Sequence, residues 1–241
     1  MRVALTIAYN GACFFGSQIQ KENPQTVMGV LDRALKQIGI DTHLHFSGRT
    51  DRGVHALCQV VHFDLPHFWN NLNKLQDVLT HHLPPSITIR KIRHVPESFH
   101  ARYDAKRRRY RYIISTGRPN PFEIDFVTFV KRLDTQKIAE AITLFEGEHN
   151  FKYYMKTGSD TTNFVRTIYK TGLYTHRNRT ILTFEANGFL RSQVRLMVGF
   201  LLAISEGTQT KKSLLEQLNC QKKHKIKLAP HNGLYLAKVT Y

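Results

Sequence analysis

Two apolar periods alternate along this chain, and their order limits the possible folds more than any other feature. Between Leu57 and Leu65, the residues Val61, Phe63 and Leu65 alternate with Val60, His62 and Asp64, the period of a half-buried strand. Between Thr26 and Ile38, the residues Val27, Val30, Leu31, Leu35 and Ile38 recur three and four apart, which is one face of a helix. Read in this way, residues 2–8 form a strand, 26–38 a helix, 43–46 a short strand, 57–65 a strand, 70–82 a helix and 87–95 a strand. The order is βαββαβ.

The second half repeats that order. A strand over 107–115 precedes a helix that opens at Asp134 as N-cap and carries Ile138, Ala141, Ile142 and Phe145 on one face. Strands near 164–174 and 180–186 follow, then a long helix from Phe189 to Ser205 ending at Gly207, a short helix near 212–219 and a last strand over 234–240. The economical architecture is α+β, two tandem ferredoxin-like units with antiparallel sheets. The expected domains are residues 1–105 and 106–241, with a junction near 100–106. Element order alone carries this expectation, since no internal sequence repeat accompanies it.

Lysine and arginine number 35 against 18 acidic residues in 241, a formal charge of +17. A chain of this length buries roughly 70–75% of its unfolded surface, so it folds without needing disulfides or a metal. The cations lie within the periodic elements and not in a low-complexity tail, so the folded surface itself is expected to be basic and to meet a polyanion. Ten tyrosines and fifteen phenylalanines are interleaved with them, the pairing that stacks exposed bases while neutralising phosphates. Cys13, Cys58 and Cys220 are odd in number and lack any C-x-x-C spacing, which points to reduced thiols in the cytoplasm. The apolar run Val3 to Ala8 is shorter than a secretory core, and Leu196 to Ile204 is about half a membrane span. A soluble cytoplasmic protein without a membrane partner is expected.

One loop stands out against this background. In Ser47-Gly48-Arg49-Thr50-Asp51-Arg52-Gly53-Val54-His55-Ala56, a carboxylate sits between two arginines and two glycines. The loop joins the second and third strands of the first unit, where a hairpin needs only a few residues, yet about ten are used. Turn chemistry accounts for Asp and Gly as residue types. A carboxylate beside guanidiniums also stays ionised, and so stays available as base or nucleophile at neutral pH.

Strand alternation in Arg107-Arg108-Arg109-Tyr110-Arg111-Tyr112 puts Arg108, Tyr110, Tyr112 and Ile114 on one face and Arg107, Arg109 and Arg111 on the other. So many like charges side by side repel one another unless an anion lies against them. Arg195 adjoins an apolar helical stripe of Leu190, Val194, Met197, Val198, Leu201 and Leu202. It either snorkels to solvent or is buried and needs an anion, for which Asp51 is a candidate. The pairs His43/His45 and His81/His82 lack the i, i+4 spacing and the completing ligands of a zinc site, so no metal is expected. The glycines Gly11, Gly16, Gly48 and Gly53 form no nucleotide-binding fingerprint.

The loop Gly48 to Ala56 resembles the signature of the tRNA pseudouridine synthase A family. The similarity continues through Tyr9-Asn10-Gly11, Gln18-Ile19-Gln20, Thr26 to Leu31, Phe99-His100-Ala101-Arg102, Arg109-Tyr110-Arg111-Tyr112, Gly188-Phe189-Leu190, Val194 to Gly199, Ala229-Pro230 and Gly233 to Leu236. The resemblance implies a pseudouridine synthase fold with a catalytic cleft between the two units. It also implies a cytoplasmic homodimer that isomerises uridine to pseudouridine at positions 38, 39 and 40 of the tRNA anticodon stem-loop, with no cofactor or metal. By the same resemblance Asp51 is the catalytic carboxylate, Tyr110 lies against the target base, Arg195 pairs with Asp51, and Arg49 occupies the space vacated by the flipped base. Arg52 stands where the family usually has alanine, Ser17 replaces a common tryptophan, and Leu190-Arg191-Ser192-Gln193 departs from the usual pattern. Attack on the ring, attack on the anomeric carbon and abstraction of a ribose proton are all open to such a carboxylate. A non-catalytic RNA-binding protein and a metal-dependent nuclease are the competing classes, motivated by the charge and the histidine count.

Overall fold

The computed structural model describes residues 1–158 and 161–241. The chain divides into two compact units, Met1–Lys106 with Tyr235–Tyr241, and Arg107–Leu234. Each carries a mostly antiparallel sheet with helices, an α+β organisation.

The first unit has the order β1 (Arg2–Tyr9), α1 (Val27–Gln37), β2 (His45–Phe46), β3 (His55–Asp64), α2 (Leu72–His82), β4 (Ile87–His94). Strand β1 lies between β3 and β4, antiparallel to both, and β2 pairs with β3 over His45↔His62 and Phe46↔Val61. Val3, Leu5 and Ile7 of β1 are fully buried with Val61 and Phe63 of β3 and with Val27, Leu31 and Leu35 of α1. Each such apolar side chain contributes roughly 1.5–3 kcal/mol when taken out of water. Thr26 caps α1 by accepting from the Gly29 amide (3.1 Å), and Asn71 caps α2 through the Lys74 amide (3.0 Å).

The second unit runs β5 (Arg107–Ser115), β6 (Thr128–Phe129), α3 (Thr135–Ile142), β7 (Gly147–Asn150), β8 (Val165–His176), β9 (Arg179–Ala186), α4 (Gln193–Ser205), α5 (Lys211–Leu218) and the start of β10 (Leu234–Thr240). Its sheet has the order β5-β9-β8-β7, all antiparallel, with β6 parallel to β5. The expected cap is present, Asp134 accepting from the Lys137 amide at 3.0 Å. The predicted alternation of β5 also holds, with Tyr110, Tyr112 and Ile114 buried.

Two differences from the sequence expectation have local causes. Residues Tyr235–Tyr241 are grouped with the first unit, because β10 runs parallel to β3 (Tyr235↔His55, Leu236↔Ala56) and the Thr240 carbonyl accepts from the Lys106 amide at 2.8 Å. Helix α4 starts at Gln193, not Phe189: Ser192 takes a left-handed φ of 58°, and the Gln193 side-chain oxygen accepts from the Leu190 amide at 2.7 Å. That reach fixes Phe189 to Ser192 as a turn ahead of the helix. Among the described residues no helix is long and apolar enough to cross a membrane.

Candidate active site

The Asp51 loop covers residues 47–54 and is held from both sides. At its start, the Ser47 hydroxyl donates to Gln59 Oε1 (2.6 Å) and Gln59 Nε2 donates to the Gly48 carbonyl (2.9 Å), which pins the loop to the neighbouring strand β3. At its apex, the Thr50 amide donates to Ser17 Oγ (2.8 Å), the Ser17 amide donates back to the Thr50 carbonyl (3.2 Å), and Thr50 Oγ1 shares a 2.8 Å hydrogen bond with the Tyr9 hydroxyl. Ser17, Thr50 and Tyr9 are all buried. Burial pushes the Tyr9 phenol up to about 12, so it stays a neutral partner at physiological pH. The loop closes through the Val54 amide donating to the Asp51 carbonyl (3.1 Å), with Gly53 at φ 75°.

Two glycines outside the loop let its backbone lie this close. A Cβ on Gly11 would stand 2.1 Å from the Val54 carbonyl oxygen, and one on Gly16, which has φ 96°, would stand 3.1 Å from the Thr50 carbonyl oxygen. The Gly11 amide donates to His55 Nδ1 at 3.0 Å, and the His55 ring stacks on Tyr235 at 4.6 Å. Asp51 is thereby half-buried on a braced turn, with Arg49 exposed two residues before it. Arg52 lays its guanidinium 4.2 Å over the Phe15 ring, so the residue that departs from the expected small side chain packs outward onto the 11–17 segment.

The other two sequence-predicted residues lie in the second unit. Tyr110 is buried on β5, edge-on to Phe189 with ring centres 5.2 Å apart. Arg195 is half-buried on α4, its Nε donating to the Ala229 carbonyl (2.8 Å) while its own carbonyl accepts from the Ala229 amide (3.2 Å). Gly199, one turn on, lies so close to the same segment that a Cβ there would be 2.2 Å from the Lys227 carbonyl oxygen. Tyr112 donates to the Pro230 carbonyl (2.9 Å) and bonds Thr128 Oγ1 (2.8 Å), with its phenol pushed up by burial. Strand β5 and helix α4 are both fastened to residues 227–230, which positions Tyr110 and Arg195. The arginine row of β5 meets a protein anion: Glu185 on β9 accepts from Arg107 Nη1 (3.2 Å) and Arg109 Nε (2.7 Å). Burial raises that carboxyl, and the two arginines more than offset it, holding it below the ordinary glutamate value.

Sequence spacing missed one cluster. His45, His62 and His100 come from three segments, and their candidate ligand atoms lie within 4.8 Å of one another. Their hydrogen bonds do not suit a metal bound through Nε2. The Ala101 amide donates to His62 Nδ1 (3.0 Å), and the Arg102 and Tyr103 amides donate to His100 Nδ1 (3.2 Å each). A neutral ring whose Nδ1 accepts carries its proton on Nε2, the atom that would have to offer a lone pair. His62 is buried, stacks on His45 at 4.6 Å, and is pushed down to about 4 by burial and by the neighbouring imidazoles.

Comparison with known families matches residues 5–104 and 141–241 to the family described as tRNA pseudouridine synthase. The chain belongs to the tRNA pseudouridine synthase family. It is an isomerase that acts on tRNA, turning uridine into pseudouridine. Relatives called tRNA pseudouridine synthase A include one from Helicobacter hepaticus, 40% identical over 240 residues that cover 98% of this chain and 97% of that one. Another from Wolinella succinogenes is 39% identical over 235 residues (98% and 92%), and one from Campylobacter jejuni is 36% identical over 241 residues, all of both chains. Asp51, Arg49 and Arg195 fall inside the matched stretches of this tRNA pseudouridine synthase, whereas Tyr110 lies between them.

Proposed function

We propose that this chain isomerises uridine at positions 38, 39 and 40 of the tRNA anticodon stem-loop, with Asp51 as the catalytic carboxylate. The supporting observation is the bracing of the Asp51 loop by Ser17, Thr50, Tyr9 and Gln59, which holds a half-buried carboxylate on rigid backbone. Uridine and pseudouridine are isomers: the C1′–N1 bond breaks, a C1′–C5 bond forms, and the C5 proton is lost while N1 gains one. No electron or group has to be supplied from outside, so the reading includes no cofactor and no metal.

The target base must leave the stack to be detached and turned, at a cost of a few kcal/mol. Arg49, exposed beside Asp51, fills the vacated space, and Tyr110 lies against the extruded base. Arg195 pairs with Asp51, which acts on the sugar or the pyrimidine as base or nucleophile. The two units are tandem ferredoxin-like domains that act on one uridine, and the enzyme works as a cytoplasmic homodimer.

The test is Asp51→Asn. Pseudouridine mapped by carbodiimide sequencing should vanish, while tRNA affinity stays within about tenfold, or about 1.4 kcal/mol. Product formation that survives the substitution removes Asp51 from the chemistry.

A further inference from the structure

The second unit's sheet has a cavity of about 190 Å³ on the face opposite Tyr110, lined by Arg109, Arg111, Lys170, Tyr174, Thr183 and Glu185. Strand register explains how it is built. Arg109, Glu185 and Lys170 lie abreast on β5, β9 and β8, and two residues along, on the same face, Arg111, Thr183 and Gly172 lie abreast. The second row lacks a side chain at Gly172, where a Cβ would stand 2.8 Å from Thr183 Oγ1. That missing side chain opens the floor, and Tyr174 forms the rim beyond it.

The charge in the cavity is unbalanced. Glu185 is already shared by Arg107 and Arg109. Among the described residues no carboxylate pairs with Arg111 or Lys170, and Arg111 Nε is buried without a hydrogen-bond partner. Leaving such a donor unmet is unfavourable, and more so for a charged group. A guanidinium, an ammonium and a hydroxyl therefore line one cavity, with an aromatic ring at the edge. A tetrahedral oxyanion on a chain that can lay a sugar or base against Tyr174 satisfies all of them.

We propose that this pocket binds one backbone phosphate of the RNA substrate, on the sheet face away from the reacting uridine. The inference rests on tRNA being the substrate. Lys170 reaches the phosphate as a point charge, Arg111 meets it with the guanidinium that lines the cavity, and Thr183 turns onto it the hydroxyl that otherwise donates weakly to the Gly172 carbonyl (3.5 Å).

The test measures tRNA affinity between 50 and 200 mM KCl for the unaltered chain, Lys170→Ala and Arg111→Gln; the exposed Lys170 position keeps folding out of the comparison. Loss of one phosphate contact should weaken binding severalfold and make the slope of log K against log salt shallower by about 0.7–0.9. Phosphate titration of the unaltered chain should shift the Gly172 and Thr183 amide resonances. A variant slope equal to that of the unaltered chain overturns the proposal. So does phosphate binding with no change in tRNA slope, which would make the ligand a free anion. A sedimentation mass that halves in Lys170→Ala also overturns it, since a second copy's carboxylate would then occupy the pocket. The unaltered chain is assayed for pseudouridine on the same tRNA: no product there refutes the tRNA reading itself, whereas product with unchanged slopes refutes this inference alone.

Discussion

A carboxylate that must meet one atom of an extruded nucleotide has to be placed within about half an ångström, and loops hold that tolerance only when their backbone is tied down. The tie on the Asp51 loop runs through Ser17, whose hydroxyl takes the buried Thr50 amide. Ser17→Ala leaves that amide without an acceptor, which costs about 1–3 kcal/mol. The expected outcome is a lower urea midpoint together with a turnover loss of tenfold or more, while tRNA affinity holds. A variant with unchanged turnover would mean that the clamp is structural only. The loop that carries Asp51 and Arg49 stands out in the sequence because glycine and charge cluster within a few positions. Ser17 was legible only as a departure from the family's tryptophan. Its partner is 33 positions away, and no local pattern encodes a hydrogen bond across that span.

Elements with a long apolar period were read well from the sequence: β5 and β10 have the predicted limits, and α1 starts one residue after its threonine cap. The misses are short or depend on side-chain reach. Strands β6 and β7 have too few residues to show a period, and α4 starts late because Gln193 folds back onto Leu190. The imidazole cluster joins β2, β3 and the turn after β4, so it exists only once those elements have met. It should make the first unit acid-sensitive. His62 has its folded pKa pushed from 6.5 to about 4, so between these values the unfolded chain binds the extra proton. The corresponding stability is fully present above pH 6.5 and is lost as pH falls towards 4, a change of about 3 kcal/mol from this group. His45, lowered by burial and by His100, adds in the same direction. His62→Asn keeps an acceptor for the Ala101 amide and cannot titrate, so its urea stability should be flatter across that window. Parallel pH curves for the two proteins would refute the assignment.

At the scale of the whole molecule, the excess of positive charge sets the expectation for how a polyanionic substrate is held. The +17 formal charge is distributed over folded elements, and among the described residues few cations have a carboxylate to themselves: Glu185 alone serves Arg107 and Arg109. Exposed cations such as Arg49, Arg90, Arg93, Lys91 and Lys170 keep most of their charge available to a polyanion, because exposed ion pairs contribute little. Binding tRNA then means displacing condensed counterions, and the affinity must fall with salt in proportion to the phosphates contacted. With six to ten contacts, raising KCl from 50 to 200 mM should weaken tRNA binding by roughly 10³ to 10⁵ fold. The rate of the chemical step within the bound complex, measured in single turnover at saturating enzyme, should stay nearly constant, because the Asp51 loop is braced by buried neutral groups that salt screens poorly. A weak salt dependence of affinity would put the recognition energy in base and shape contacts, and would leave the excess charge without a role in capture. A chemical step that slows in parallel with affinity would place screened, solvent-exposed charges inside the reacting geometry.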